Sequence, residues 1–222
     1  NDKVLAMTTR LKIDFVSDVS CPWCAVGLSS LEKALCRLGD QVSADLHFQP
    51  FELNPQMSPK GQDIVEHLSQ KYGSTPEQIA HNSEAIRARG TEVGFTFGVG
   101  KRSRIYNTFD AHRLLHWAEL EGRQAALKHA LFQAYFTDGE DPSAHEVLAR
   151  LAAGVGLDAQ RAREILSSDT YAEEVRNREH FYLEHGINSV PAVIINDHHL
   201  IQGGQPVEVF EQALRQIAAG QA

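Results

Sequence analysis

The stretch Leu11-Lys12-Ile13-Asp14-Phe15-Val16-Ser17-Asp18-Val19-Ser20-Cys21-Pro22-Trp23-Cys24 decides the fold. Leu11, Ile13 and Phe15 alternate with Lys12, Asp14 and Val16, which is the period of a strand with at least one buried face, over 11–16. After the cysteines, Leu28, Leu31, Leu35 and Leu38 follow Cys24 at steps of four and three residues until Gly39. That spacing predicts a helix with Cys24 at the head of its buried stripe.

Working outward, Val42, Ala44, Leu46 and Phe48 alternate with more polar neighbours before Pro50, predicting a second strand that runs into the loop Glu52-Leu53-Asn54-Pro55. From about 62 to 186 the pattern is helical. Stops are expected at Gly73, Gly90 or Gly94, Gly122, Gly139, Gly154 and Gly186, and starts at Thr75-Pro76, Asp141-Pro142 and Asp158. About six helices are expected there. Gly94–Tyr106, with Phe95, Phe97 and the basic Lys101, Arg102 and Arg104, interrupts them as a loop.

Beyond Gly186, Ile187-Asn188-Ser189-Val190-Pro191 precedes an apolar run, Ala192 to Ile195, a turn at Asn196-Asp197, and Leu200-Ile201, which together predict a hairpin. Pro206 suits a first helical position ahead of Val207, Phe210, Leu214 and Ile217. The expected order is βαβ, helices, ββα. This is an α/β chain in which 11–61 and 187–218 form one domain and 62–186 is an all-helical insertion into it, with no tether-like linker between them.

Two thiols separated by two residues can form and break a disulfide, because each lies within bonding reach of the other. Pro22 suits the first helical turn, which puts Cys21 at the N-cap with its sulfur at the positive end of the helix dipole. Cys21 is therefore expected to be the low-pKa nucleophile. Cys24, on the apolar stripe, is expected to be shielded and to resolve the mixed disulfide. Trp23 shapes the surface between them, and Asp18 reads as a turn cap ahead of a proton acceptor for Cys24.

A Cys-x-x-Cys pair is also half of a zinc site, which needs two more ligands. His112 and His116, four apart on an expected helix, could supply them, but no second cysteine pair exists and a histidine on a helix face is more often hydrogen-bonded core. The expectation is no metal. Cys36, twelve residues past Cys24, falls off the stripe and is expected to be a semi-buried structural thiol. Lys101, Arg102 and Arg104 read as a solvated cluster rather than an anion site, and Gly98-Val99-Gly100-Lys101 lacks the context of a phosphate loop.

The chain has 222 residues, 42% hydrophobic, enough for a sizeable core without staples, and its three cysteines cannot build a disulfide framework. A formal net charge of −8 argues against nucleic acid or an anionic membrane as partner. No apolar run approaches the roughly 18 residues of a membrane span, and Asn1 to Arg10 lacks the apolar segment of a signal peptide. A cytoplasmic protein is expected, with Met7 a candidate native start.

These motifs resemble the DsbA-like thioredoxin superfamily. Within it the chain looks most like the FrnE-type branch, through Asp18-Val19-Ser20-Cys21-Pro22-Trp23-Cys24, Phe51-Glu52-Leu53-Asn54-Pro55, Asn107-Thr108-Phe109-Asp110-Ala111-His112-Arg113-Leu114-Leu115 and Gly203-Gly204-Gln205-Pro206. The resemblance implies a thioredoxin-like fold and a thiol-disulfide oxidoreductase. It implies that Pro191 is a cis-proline facing the dithiol, with Val190 presenting backbone groups to a bound peptide or thiol, and that the 107–115 segment packs beside the active-site face. Substrates would be protein disulfides or small thiols, with no cofactor beyond the dithiol and with glutathione as a candidate co-substrate.

The related kappa glutathione transferases and hydroxychromene-carboxylate isomerases carry serine at the first-cysteine position. Cys21 and Cys24 favour dithiol exchange over that glutathione-dependent chemistry. A non-enzymatic zinc- or client-binding module is the third reading, and a homodimer is compatible with all three.

Overall fold

The structure, a computed structural model, describes residues 7–220. The first six residues of the opening segment Asn1 to Arg10 lie outside the described residues.

The first strand, β1 (Thr9–Ser17), extends slightly beyond the apolar alternation at both ends. Its chain turns through 18–21 into α1 (Pro22–Leu38), a short 3-10 turn follows at 39–41, and β2 (Val42–Pro50) returns parallel to β1. Phe15 pairs with Phe48 across that register, their rings edge-on at 5.8 Å.

Far along the chain, β5 (Ala192–Ile195) adds antiparallel to β1, and β6 (His199–Gln202) pairs with β5. The hairpin turns on Asn196 and Asp197, both at positive φ (52° and 58°), a conformation these short polar side chains tolerate. The sheet order is β2-β1-β5-β6. The last helix, α9 (Val207–Ala218), packs beside α1. Pro206 is its N-cap rather than its first residue.

Leu11, Ile13 and Phe15 meet Leu28 and Leu31 of α1 and Phe210 and Leu214 of α9 in one core. The alternate residues of β1 point to the opposite face, where Val16 packs with Tyr182. Both faces of β1 are buried from Ile13 to Ser17, so Asp14 is enclosed although the alternation puts it opposite the main core.

Residues 62–186 hold β3 (Gln62–Asp63), α2 (Ile64–Tyr72), α3 (Pro76–Glu92), β4 (Arg104–Ile105), α4 (Phe109–Leu120), α5 (Gln124–Phe132), a π turn (Gln133–Thr137), α6 (His145–Gly154), α7 (Ala159–Leu166) and α8 (Ala172–Glu184). The insertion is thus helical apart from a two-residue ribbon, β3 against β4. Thr75 forms a capping box with Gln78, and Asp158 caps α7 through the Arg161 N–H.

The expected start at Asp141-Pro142 is displaced. Asp141 Oδ1 accepts from the Ser143 N–H and hydroxyl, so a local turn replaces the first helical turn and α6 begins at His145. The break between α7 and α8 has no glycine to announce it. Buried Arg113 supplies it from α4, donating to the carbonyls of Ile165, Ser168 and Thr170.

Leu114, Leu115, Leu127, Leu131, Leu148 and Ile165 give the insertion its own core. Phe132, Tyr135 and Phe136 instead join the core of α1. The insertion is therefore packed onto α1. Among the described residues no helix is long and apolar enough to cross a membrane.

Candidate active site

Cys21 is the N-cap of α1, in extended conformation, and its sulfur accepts the Cys24 backbone N–H at 3.3 Å. Pro22 follows at N1, where no N–H is needed. Both cysteines are free thiols, Cys24 fully enclosed and Cys21 4% exposed, so what separates them is only a thin opening at Cys21. Burial, then the hydrogen bond and charge of Cys21, push the Cys24 thiol well above its usual value, against the opposing pull of the Asp18 backbone and of Lys128.

The Val190–Pro191 bond is cis. The Cys21 thiol donates to Val190 O at 3.7 Å, which places this loop directly across from the N-cap. Gly203 N–H and Gln202 Nε2 hold Pro191 O from behind, at 2.8 and 3.2 Å. The loop sits so close to α1 that a Cβ on Gly27 would lie 3.0 Å from Pro191 Cγ, and one on Gly204 would lie 2.9 Å from Trp23 O. Glycine at these positions is a condition of the approach. Trp23 is half-buried beneath Arg89 of α3, whose guanidinium stands 5.7 Å from the ring and donates to Gly204 O at 3.0 Å.

Asp18 lies in the turn ahead of the Cys21 N-cap, where its backbone carbonyl accepts the Cys21 N–H at 3.2 Å. Its buried carboxylate accepts four hydrogen bonds: from Thr108 Oγ1 (2.7 Å), His112 Nε2 (3.1 Å), Ser20 Oγ (3.0 Å) and the Leu53 N–H (2.9 Å). Burial pushes this group up, but the bond and charge of His112, the Leu53 N–H and the Thr108 hydroxyl outweigh it and hold the carboxyl below its ordinary value. Asp18 thus ties the turn before Cys21 to the 51–55 loop and to α4. His112 supports the site through Asp18, and the 107–115 segment does pack against the turn that carries the dithiol.

A second acidic cluster lies beside the 51–55 loop. Arg176 of α8 bonds Glu52 at 2.6 Å and Glu179 at 3.4 Å, and its guanidinium stacks 3.6 Å from the Phe109 ring. Burial, then the bond and charge of Glu52, raise Glu179 to about 9.

Two groups went unread in the sequence. Arg89 gave no local signal, since only packing brings it to Trp23. Lys128 did: it sits in Leu127-Lys128-His129-Ala130-Leu131-Phe132, in helical phase with Leu131 and Phe132. It is 1% exposed. Cys36 departs from expectation the other way, being exposed, because twelve residues carry it onto the solvent side of α1. Arg102 lies over Tyr135 and Phe136, and Arg104 donates to Lys60 O, so these two cations of the 101–104 loop serve the fold. His116 rests against Tyr171 rather than joining the cysteines, and no group of three or more His, Cys, Asp or Glu among the described residues could hold a metal ion.

A sheet in the order β2-β1-β5-β6, with the dithiol helix leaving β1 and a cis-proline opening β5, is a thioredoxin fold with a helical insertion. The chain belongs to the DSBA-like thioredoxin domain family, whose model matches residues 12–215. It is 30% identical over 209 residues to the uncharacterised protein YwbO of Bacillus subtilis (strain 168), covering 94% of this chain and 96% of that one. Among solved structures it is similar to a probable DsbA oxidoreductase of Streptomyces coelicolor, with 34% identity, a TM-score of 0.88 and coverage of 96% and 91%. The fold extends to the cytosolic disulfide reductase DsbM of Pseudomonas aeruginosa solved with GSH, at 17% identity, a TM-score of 0.63 and coverage of 94% and 99%.

Proposed function

We propose that the protein is a FrnE-type thiol-disulfide oxidoreductase that works through Cys21 and Cys24. One observation carries this: the sulfur capping α1, bonded to the Cys24 N–H and facing Val190 O, while its partner thiol is sealed behind it. The thiolate of Cys21 attacks a substrate disulfide, one substrate sulfur leaves as thiolate, and Cys24 then attacks Cys21 to release the other. The dithiol is oxidised and the substrate reduced; the reverse sequence oxidises a substrate. No further cofactor enters. Val190 offers backbone groups to the substrate, Pro22 and Trp23 shape the rim, and Pro191 and Asp18 hold the loop and turn on either side.

Only a narrow opening exposes Cys21, so the substrate must reach it over Trp23 and Val190, both half-buried. A disulfide on a flexible peptide or a small thiol such as glutathione fits that access. The binding of GSH by DsbM, a cytosolic protein of the same fold, supports glutathione as co-substrate and the cytoplasm as location.

The test is disulfide reduction by the purified protein with either a dithiol or glutathione as electron donor. Loss of activity in Cys21→Ser, and trapping of a mixed disulfide in Cys24→Ser, are the expected results. Undiminished turnover in Cys21→Ser refutes the reading. Glutathione-dependent activity on a small molecule that survives Cys24→Ser would assign the transferase or isomerase chemistry instead.

A further inference from the structure

One cation of the 101–104 loop, which reads as solvated from its pattern, lines a cavity together with a second arginine. The cavity, of about 120 Å³, lies between α2, α3 and the 97–102 loop. Its walls are mainly apolar, with Ile64 at the start of α2, Ile79 on α3, Phe97 of the loop and Phe136 of the π turn. Arg87 of α3 and Arg102 of the loop line it as well, and no acidic residue does among the described residues. In a chain of net charge −8, two cations without an anion reverse the average character of the molecule.

Both guanidiniums have donors to spare. Arg87 Nε is buried and finds no hydrogen-bond partner among the described residues. Its Nη1 reaches Glu84, an exposed carboxylate one turn back on the same helix, at 3.5 Å, and such a surface pair contributes little. A buried N–H of a charged group without an acceptor is costly, which makes Nε a position built for one. Arg102 stands 5.1 Å from the centre of the Phe136 ring and 5.7 Å from that of Tyr135, and no carboxylate lies within 4.0 Å of it among the described residues. A guanidinium carries five N–H donors in its plane, so one lying over a ring keeps donors for an acceptor.

The fold fixes the walls. Phe95 N–H donates to Gly90 O at 2.8 Å, Gly98 N–H to Phe136 O at 2.9 Å and Ile64 N–H to Ser103 O at 2.9 Å, tying the loop to α3, to the π turn and to α2. The rings of Phe97 and Phe136 meet edge-on at 5.4 Å. A Cβ on Gly90 would come within 2.6 Å of Phe95 O, so glycine is what lets the loop lie this close to α3. A ligand entering such a preformed cavity has little ordering to offset.

We propose that this cavity binds a small organic carboxylate, with its apolar body among Ile79, Phe97 and Phe136 and its charge between Arg87 and Arg102. At about 120 Å³ the space is slightly smaller than the roughly 150 Å³ apolar cavity that takes benzene, which limits the body to one ring or a branched chain. Guanidinium forks match a carboxylate two oxygens at a time, and an anion at this position supplies the acceptor that Arg87 Nε needs. The site is separate from the dithiol and does not depend on its chemistry. Arg89, two positions after Arg87, leaves α3 on the other side of the helix and reaches Trp23 instead.

The test titrates benzoate, phenylacetate and isovalerate into the wild-type protein by calorimetry. Benzamide and inorganic phosphate serve as controls that keep only the ring or only the negative charge. At least one of the carboxylates should bind about tenfold more tightly than either control, the worth of one charged hydrogen bond. Amide NMR spectra of the wild type should then show shifts at Ser83, Gly98 and Gly100 and none at Val190 or Gly204. Arg87→Met and Arg102→Met, which keep an apolar stem and lose the fork, should each weaken binding about tenfold.

Carboxylates that bind no more tightly than benzamide and phosphate overturn the proposal. So do amide shifts confined to the surroundings of Trp23 and Val190, which would assign the anion to the mouth of the dithiol. Both results come from the wild-type protein and need no variant to fold. Folded Arg87→Met and Arg102→Met proteins that bind as wild type does also overturn it.

Discussion

Replacing Asp18 by asparagine keeps the shape of the side chain and removes its charge. The structure assigns four donors to this carboxylate: Thr108, His112, Ser20 and the Leu53 N–H. The amide can be oriented to satisfy all four, with its oxygen towards Ser20 and Leu53, its nitrogen towards Thr108, and His112 in the tautomer that accepts at Nε2. Bonds to a charged group are worth about 1 kcal/mol more than neutral ones, so four of them lose about 4 kcal/mol, offset in part by the easier burial of an amide.

A net loss of about 2–4 kcal/mol is expected, a large share of the roughly 5–15 kcal/mol that holds a domain folded. The assay is urea unfolding of the reduced protein at pH 7 and at successively lower pH. Because the folded-state value of Asp18 lies below 3.8, its contribution is present above 3.8 and is lost as pH falls through the lowered folded value. The deficit of Asp18→Asn should therefore shrink on acidification. A deficit under about 0.5 kcal/mol at pH 7, or one that stays constant into acid, refutes the account of Asp18 as a charged keystone.

Glu179, raised from 4.5 to about 9, keeps in the folded state a proton that the unfolded chain has lost, so stability should decline as pH rises through that window. Thermal unfolding of Glu179→Gln should show a flatter decline; a parallel one counts against proton sharing with Glu52. For Lys128, lowered from 10.5 to about 8, the penalty is borne in full below 8, and Lys128→Met should gain melting temperature at pH 7, with the gain shrinking towards pH 10. No gain at pH 7 would show that the ammonium is better compensated than its surroundings indicate. Gly204→Ala sets a Cβ 2.9 Å from Trp23 O, backbone that cannot swing aside, and should destabilise by about 1–3 kcal/mol with a shift in tryptophan emission. An unchanged denaturation midpoint would mean that the two segments separate freely.

How much of this was legible depended on distance along the chain. The strand from Leu11, the helix from Pro22, the hairpin at Asn196-Asp197 and the caps at Thr75 and Asp158 are local events, set by side-chain period and turn chemistry. The helix break that Arg113 makes from another helix, and the turn at Asp141 that delays α6, were hidden because competing hydrogen bonds, not propensity, decide them.

The cysteine pair and its place at a helix start follow from the sequence alone, because four residues within about one helical turn have little freedom. What surrounds the pair does not. Val190 arrives from 169 residues away, Thr108 and His112 reach Asp18 from 90 and 94 residues away, and Lys128 and Arg89 come from helices of the insertion. Only the packing of that insertion against α1 and β2 brings Thr108 and His112 to Asp18 and Arg89 to Trp23, since contacts of such long range are settled by the shared core and not by any local pattern.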